Sequence, residues 1–183
     1  VPAVQSGKID AIIAGMSPTA ERKESIDFTD VYYTSDLVMV VKKGGKYENA
    51  TKLSDFKGAT ITGQLNTFHY TVIDQIDGVK KDTAMDNFPA MRVALESGKI
   101  DGYVSERPEG VSATSANKNF AMVEFKEGQG FKTSDEDTAI AVGLKKDSDL
   151  KDKINKILAG ISEDERKDLM DQAIKDQPAS EDN

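Results

Sequence analysis

One stretch of the sequence could bind an anion through an arginine. In AGMSPTAERKESIDFTDVYY, an apolar run ends at Ala14, and the backbone groups of residues 15–17 follow it directly. Thr19 is suited to cap a short helix whose first turn carries Glu21 and Arg22. Open α/β sheets place ligands beyond the carboxyl ends of strands, and a guanidinium can pair with a carboxylate in a bidentate manner. The alternative from these residues alone is a surface arginine beside neighbouring glutamates.

Other chemistry has little support in the sequence. His69 is the only histidine, and there is no cysteine. We find no nucleophile elbow, phosphate-binding loop, dinucleotide fingerprint or histidine pair at metal spacing. Acidic runs such as TSDEDT are typical of a solvated surface, and we expect His69 to be a surface or packing residue. The sequence therefore predicts no catalytic residue, no metal and no cofactor.

Length and charge limit the number of domains and the kinds of partner that the protein could have. The 183 residues suit one large domain or two small lobes. The net charge is −8, and no basic stretch is interleaved with aromatic residues, so we expect no nucleic-acid partner. No apolar run is long enough to cross a bilayer, and no signal peptide or lipidation cysteine is recognisable.

A pentapeptide occurs twice in the sequence, each time where a helix is predicted to end and a strand to begin. SGKID occurs in QSGKIDAIIAG (residues 5–15) and again in ESGKIDGYVSE (residues 96–106). Each copy predicts a helix end, a left-handed glycine at Gly7 or Gly98, and a parallel strand covered on both faces. Two copies indicate two α/β layers, and the alternative is a chance match of five residues. The helix before Gly98 is expected to place four apolar side chains near one face: Met91, Val93, Ala94 and Leu95.

The rest of the chain alternates in the same way. Residues 28–45 predict one long strand, DFKGATITGQL a turn and a strand, and NTFHYTVIDQI a capped helix. Residues 120–125 predict a strand within polar, glycine-rich sequence. AIAVGLKK predicts another strand, and two helices follow, capped at Asp147 or Ser148 and at Ser162.

These residues carry a resemblance to a known family. QSGKIDAIIAGMSPTAERKESIDFTDVYYTSDLVMVVKK resembles the core signature of the extracellular solute-binding proteins of polar amino-acid ABC importers, the glutamine, histidine and lysine/arginine/ornithine binding-protein family. FKGATITGQLNT, ALESGKIDGYVSE and AIAVGLKKDSDLKDKINKIL are also similar to that family. The resemblance spans almost the whole chain.

The resemblance implies an α/β fold of the type II periplasmic-binding-protein class, with two α/β lobes joined by two hinge strands and the ligand in the cleft between them. The family begins lobe one with strands and a helix that precede SGKID, so we expect the N-terminal part of lobe one, with any export signal, to be missing. The implied parts are lobe one in residues 1–40, lobe two in 41–138, the return to lobe one in 139–177 and a disordered tail in 178–183.

The resemblance also assigns ligand-binding roles. Arg22 would bind the ligand α-carboxylate, and Glu106 would pair with the α-ammonium. The Gly15 carbonyl would accept from the ammonium, and the Ser17 hydroxyl and NH would contact polar groups. Thr67 and Phe68 would present backbone NH groups to the carboxylate at a helix N-terminus.

Three residues depart from the family pattern. Asn66 replaces a glycine, so the turn is expected to need a left-handed residue, which asparagine tolerates. Glu106 replaces an aspartate, and Val31 replaces a proline.

The implied function is the amino-acid-binding component of an ABC importer, located outside the cytoplasm. It would capture a polar L-amino acid, close by bending near residues 39–42 and 139–142, and deliver the ligand to membrane permease subunits. The alternatives are an enzyme on the same scaffold, such as an amino-acid dehydratase relative or a lytic-enzyme regulatory domain, and a sensor ectodomain. An enzyme would need a second carboxylate in the cleft with a raised pKa, and the sequence offers none.

The missing first strands of lobe one would leave a sheet edge exposed. Such an edge predicts self-association.

Overall fold

The computed structural model describes residues 1–176, which form two compact units. The first unit contains Val1–Ser35 and Thr133–Lys175, and the second contains Asp36–Lys132. The predicted tail, residues 178–183, lies outside the described residues. Within residues 1–176, no helix combines the length and the apolar character needed to cross a membrane.

Both units mix helices and strands. In chain order, the helices are α1 (Pro2–Gln5), α2 (Ala20–Ser25), α3 (Phe68–Thr71), α4 (Phe88–Glu96), α5 (Arg107–Ala116), α6 (Asp135–Thr138), α7 (Leu150–Leu158) and α8 (Glu163–Lys175). The strands are β1 (Ala11–Ile12), β2 (Asp27–Phe28), β3 (Tyr33–Thr34), β4 (Leu37–Lys42), β5 (Thr60–Thr62), β6 (Lys80–Lys81), β7 (Gly102–Glu106), β8 (Phe120–Val123), β9 (Ala139–Ile140) and β10 (Gly143–Leu144). Leu53–Phe56 and Val72–Gln75 are 3₁₀ helices.

The first unit is built on two small antiparallel sheets. Strand β10 lies between β1 and β2, and β3 pairs with β9. The first SGKID copy follows the single turn α1, and Gly7 has the predicted left-handed backbone, with φ 73°. The strand prediction was wrong in part. Strand β1 is only partly buried and runs antiparallel to β10, and Ile13 beyond it is 71% exposed.

The second unit is built on one mixed sheet of order β6-β5-β7-β4-β8. Strand β5 is parallel to β6 and β7, whereas β4 is antiparallel to β7 and β8. The second SGKID copy matches its prediction: α4 ends before Gly98, at φ 77°, and the buried β7 runs parallel to β5. Successive side chains of β4 enter different clusters, because Met39 and Val41 join one and Val40 joins the other.

The predicted long strand over residues 28–45 is divided into β2, β3 and β4. Its first part is held by backbone hydrogen bonds to the returning chain, from Thr29 to Val142 and from Tyr32 to Ile140. Its last part pairs instead with β7 and β8. The change of partner interrupts the ladder, and the sequence does not mark where this happens.

The structure corrects one helix prediction and adds one helix. Val93 is 69% exposed, whereas Met91, Ala94 and Leu95 are buried. The buried positions are three and four residues apart, and residue 93 points away from that stripe. The ten-residue helix α5, which precedes the predicted strand at residues 120–125, was not predicted.

The two C-terminal helices are confirmed, with a change at the first cap. The N-cap of α7 is Asp149, although Ser148 Oγ accepts from the NH of Leu150. Ser162 Oγ accepts from the NH of Glu165 in the first turn of α8, as its predicted capping role requires.

Candidate functional site

The first unit holds Arg22 on the short helix α2. Thr19 is the N-cap of this helix, and its hydroxyl accepts from the NH of Arg22 at 3.4 Å. The Arg22 side chain is half-buried, and its Nη1 donates to the carbonyl oxygen of Ser17 at 3.0 Å. Lys23, the next residue, pairs with Glu136 at 2.5 Å. In the part of the chain that the structure describes, no carboxylate lies within 4.0 Å of the Arg22 guanidinium.

Ser17 and Gly15 lie in the turn that precedes α2. Ser17 is buried, and its hydroxyl donates to the carbonyl oxygen of Asp137 at 2.9 Å. The hydroxyl proton is thereby used, and only its lone pairs remain to accept hydrogen bonds. Gly15 is exposed with φ 61°, and a Cβ there would meet no atom within 4 Å, so its backbone conformation is what favours glycine.

The second unit brings Glu106 against His69. Glu106 is the last residue of β7, and its side chain is 18% exposed. Its Oε1 lies 3.3 Å from Nε2 of His69, whose side chain is 8% exposed. Among the described residues, the buried Nδ1 of His69 has no hydrogen-bond partner. The expected surface or packing residue is therefore a buried partner of a site carboxylate.

Thr67 and Phe68 begin the helix that carries His69. Thr67 is the N-cap of α3, but its hydroxyl donates to the Gln64 carbonyl at 2.8 Å and does not cap the helix. The rings of Phe68 and His69 lie 4.7 Å apart between centroids. Asn66 has φ 60°, as its replacement of glycine predicts. The structure thus brings Thr67, Phe68 and Glu106 together through His69.

A glycine fixes the position of α3 on the sheet. A Cβ at Gly63, just after β5, would lie 2.7 Å from the carbonyl oxygen of His69 and 2.9 Å from the Cα of Tyr70. Only a residue without a side chain allows the helix to approach the strand end this closely. Sequence reasoning missed this role, because a close approach of two backbones leaves no periodic signal.

A buried polar network also supports the end of β7. The Glu109 carboxylate accepts from Nε and Nη2 of Arg92 at 3.1 and 2.8 Å, from the Ser105 hydroxyl at 2.7 Å and from the Tyr103 hydroxyl at 3.3 Å. Burial raises the pKa of Tyr103, and the nearby Glu109 carboxylate raises it further. The network joins α4, β7 and α5 immediately beside Glu106. Arg107 points elsewhere, because its Nε pairs with Glu124 at 2.9 Å.

Each unit contains a charged group that could bind a ligand group of opposite charge. Arg22 is a cation without an anionic side-chain partner among the described residues, and Glu106 has a histidine but no lysine or arginine within 4.0 Å there. In the described part of the chain, no three His, Cys, Asp or Glu side chains are grouped so as to hold a metal ion.

Comparison with known proteins identifies the family. Residues 1–175 match the family model described as bacterial extracellular solute-binding proteins, family 3. The chain belongs to this family, and the predicted α/β fold of the type II periplasmic-binding-protein class is confirmed.

Two similar proteins come from Bacillus subtilis. The arginine-binding extracellular protein ArtP is 29% identical over 164 residues, which cover 86% of this chain and 60% of ArtP. The glutamine-binding ABC transporter protein GlnH is 31% identical over 180 residues, 98% of this chain and 63% of GlnH. The chain therefore spans less than two thirds of the length of these two relatives.

A solved structure shows the same fold. An amino-acid ABC transporter substrate-binding protein from Streptococcus pneumoniae, bound to L-arginine, superposes with a TM-score of 0.81 at 29% identity, covering 95% of this chain and 71% of that protein. An ancestral arginine-binding protein bound to glutamine gives a TM-score of 0.74, also at 29% identity.

Proposed function

We propose that this chain is the amino-acid-binding component of an ABC importer and that it binds an L-amino acid by its backbone charges. Arg22 pairs with the α-carboxylate, and Glu106 pairs with the α-ammonium. The family membership supports this class of function. The relatives that it matches are binding proteins and not enzymes, and we propose that this chain likewise performs no catalysis.

The observation that carries the proposal is that, among residues 1–176, no carboxylate lies within 4.0 Å of the Arg22 guanidinium. Its N–H groups are therefore available to an anionic ligand. One of its nitrogens is held by the Ser17 carbonyl, which fixes the orientation of the planar guanidinium. The remaining N–H groups suit a carboxylate, which has two acceptor oxygens.

The other four residues have supporting roles in this proposal. Backbone NH groups at Thr67 and Phe68 contact the same carboxylate. The Gly15 carbonyl accepts from the ammonium, and the Ser17 hydroxyl oxygen accepts from a ligand NH group. The Ser17 hydroxyl can only accept a hydrogen bond from the ligand, because it donates its proton to the carbonyl oxygen of Asp137.

We propose a polar amino acid as the ligand and the outside of the cytoplasmic membrane as the location. Matched relatives are named as binding arginine, glutamine or histidine. The family is extracellular by description, and membrane permease subunits of an ABC importer are the proposed protein partners.

We also propose self-association through the first unit. Strand β1 is an edge strand of its sheet, and Ile13 beside it is exposed. Exposed edges and apolar residues favour pairing between chains. Light scattering should therefore give a mass above 19.9 kDa. A monodisperse monomer with normal two-state melting would contradict this part of the proposal.

The experiment that tests the proposed function removes one ligand charge at a time. L-arginine is titrated into the chain in a calorimeter, in parallel with agmatine, which lacks the carboxylate, and N-acetyl-L-arginine, which lacks the ammonium. L-glutamine and N-acetyl-L-glutamine form a second series. We expect an L-amino acid to bind and its analogues to lose at least about tenfold in affinity, because each loses a charge-assisted contact. Equal binding of the analogues would exclude recognition of the backbone charges.

A further inference from the structure

The pair formed by His69 and Glu106 has a feature that the proposed roles do not use. The imidazole is almost fully buried, and it touches the site carboxylate with one nitrogen only. Its other nitrogen, Nδ1, has no partner in the described part of the chain. A buried polar atom without a partner is unusual, and the sequence contains no second histidine.

The lack of a partner for Nδ1 in the described residues indicates which nitrogen of His69 carries the proton. If the imidazole is neutral with its proton on Nε2, it donates to Oε1 of Glu106, and Nδ1 is left as an unpaired acceptor. If the proton is on Nδ1, that nitrogen is a buried donor with no acceptor, and Nε2 faces Oε1 of Glu106 as a second acceptor. Of the two neutral tautomers, the geometry therefore favours the one with its proton on Nε2.

The surroundings hold both side chains in place. The His69 ring is flanked by Phe68 and lies 6.4 Å from the ring of Phe88. The backbone of α3 lies in close contact with Gly63. Strand β7 is held by its hydrogen-bonded ladder with β4, where Leu37 pairs with Glu106. The imidazole therefore restricts the carboxylate to one orientation, with Oε1 engaged and Oε2 without a side-chain partner among the described residues.

Other charges near the pair are engaged elsewhere or exposed. Asp36 before β4 and Asp86 before α4 are exposed. Four ion pairs engage other charged groups on the adjoining elements, namely Arg92 with Glu109, Arg107 with Glu124, Lys81 with Asp74 and Lys99 with Asp82. Glu96 of α4 accepts from Asn117 and Asn119, and Lys42 lies at the end of β4 opposite to Leu37, the residue that pairs with Glu106. His69 is thus the titratable group that acts directly on Glu106.

We propose that His69 is a positioning residue for ligand binding: its neutral imidazole aims the Glu106 carboxylate at the ligand ammonium, and its protonation opposes ligand binding. An imidazolium would itself be a cation on the same carboxylate, so it competes with the ammonium and repels it. Binding of an amino acid and protonation of His69 therefore disfavour each other. This inference rests on the proposed function, because it requires an ammonium at Glu106.

The first test needs no ligand. Because His69 is the only histidine, its two ring nitrogens give the only imidazole signals in a ¹⁵N long-range NMR spectrum. We expect the signature of a proton on Nε2 at neutral pH and a change toward a mixture of tautomers in Glu106→Gln, whose amide can donate as well as accept. An Nδ1–H tautomer in the wild type, or an unchanged spectrum in Glu106→Gln, would overturn the positioning role.

The second test measures affinity against pH with L-arginine and L-glutamine as probes, since their backbone charges do not change in the range used. Because protonation of the imidazole would oppose binding, we expect affinity for both probes to be about fivefold or more lower at about pH 5.5 than at about pH 7.5. His69→Gln keeps an NH that can reach Glu106 but has no imidazole to protonate, so it should lose less affinity than His69→Ala and its affinity should not depend on pH. His69→Ala should lose affinity at both values.

The outcomes separate the two proposals. Binding with the same pH profile in the wild type and His69→Gln would overturn the inference and leave the proposed function intact. If neither probe binds the wild type at either pH, the proposed function is wrong, and so is the proposed coupling between ligand binding and protonation of His69. The NMR test still decides whether His69 holds Glu106.

Discussion

Nη1 of Arg22 donates a hydrogen bond to the carbonyl oxygen of Ser17, with 3.0 Å between nitrogen and oxygen. The bond joins α2 to the turn before it and orients the planar guanidinium. Lysine carries the same charge but lacks this planar set of donors. The orientation, and not the charge alone, is what we expect a carboxylate ligand to require.

Arg22→Lys should therefore weaken amino-acid binding while leaving the fold intact. Losing a hydrogen bond to a charged group costs about 1.5–3 kcal/mol, which corresponds to roughly 10-fold to 150-fold in affinity. Calorimetric titration with L-arginine and L-glutamine measures the loss. Arg107→Lys is the matched control, since Arg107 is exposed and pairs with Glu124. Equal affinities in the two variants would show that Arg22 has no special role.

Gly63→Ala should destabilise the second unit, because the new Cβ would lie 2.7 Å from the His69 carbonyl oxygen. Overpacking of this kind costs about 1–3 kcal/mol, and the displacement of α3 should also change the His69 NMR signals. Urea unfolding measures the free energy. Gly160→Ala, at an exposed glycine whose nearest contact would be 3.3 Å, should change it by less than about 0.5 kcal/mol. If Gly63→Ala is as stable as this control, α3 is not held as described.

Glu109→Gln should lower the free energy of unfolding by about 1–3 kcal/mol, because it leaves the partly buried Arg92 without its anion. Glu124→Gln breaks the exposed pair with Arg107, which is worth less than about 1 kcal/mol. The comparison is made by urea unfolding at neutral pH. Equal losses would mean that the buried network does not stabilise β7 more than a surface ion pair does.

Asp27 makes stability depend on pH. The backbone NH of Asp147 holds the pKa of the Asp27 carboxyl below its usual value, and Lys146 lowers it further. A lowered folded-state pKa stabilises the fold above the ordinary carboxyl pKa, and this stabilisation is lost as the pH falls through the lowered value. Wild-type protein should therefore exceed Asp27→Asn in stability at neutral pH, and the difference should shrink below about pH 4.

Asp149→Asn is the control for this prediction. Lys153 lowers the pKa of Asp149, but both side chains are exposed and solvent screens the pair. We expect a much smaller pH-dependent difference in urea midpoints for this variant. A constant difference between wild type and Asp27→Asn from neutral to acidic pH would show that the Asp27 carboxylate charge is not responsible.

Local signals predicted much of the second unit. The helix before Gly98, the left-handed glycine and the buried strand β7 follow from apolar spacing and glycine conformation. These features depend on neighbours in sequence, which is why one sequence suffices to predict them. The left-handed Asn66 was implied instead by the resemblance, because the family usually has glycine at that position.

Helix α5 was missed because it packs through small residues and not through an apolar stripe. A Cβ at Gly110 would lie 2.7 Å from Sδ of Met122, and Ala113 is fully buried. Periodicity of large apolar residues cannot reveal such a helix. Strand β1 was predicted as a parallel strand, and its antiparallel pairing was missed because its neighbour, β10, lies far away in sequence.

The site was only partly accessible from sequence. Resemblance proposed Arg22 and Glu106, but the partners that orient them, Ser17 for the first and His69 for the second, are tertiary contacts. The pair of His69 and Glu106 is separated by 37 residues, so no local pattern joins them.

The most direct test of the central claim is calorimetric titration of the chain with L-arginine, L-glutamine and L-histidine, for the wild type and for Arg22→Ala and Glu106→Gln. Arg107→Ala and Glu124→Gln, which alter an exposed ion pair, serve as controls. We predict that the wild type and both controls bind at least one of the three amino acids, and that Arg22→Ala and Glu106→Gln each lose at least about tenfold in affinity for it. Failure of the wild type to bind any of them, or unchanged affinity in both site variants, would contradict the account.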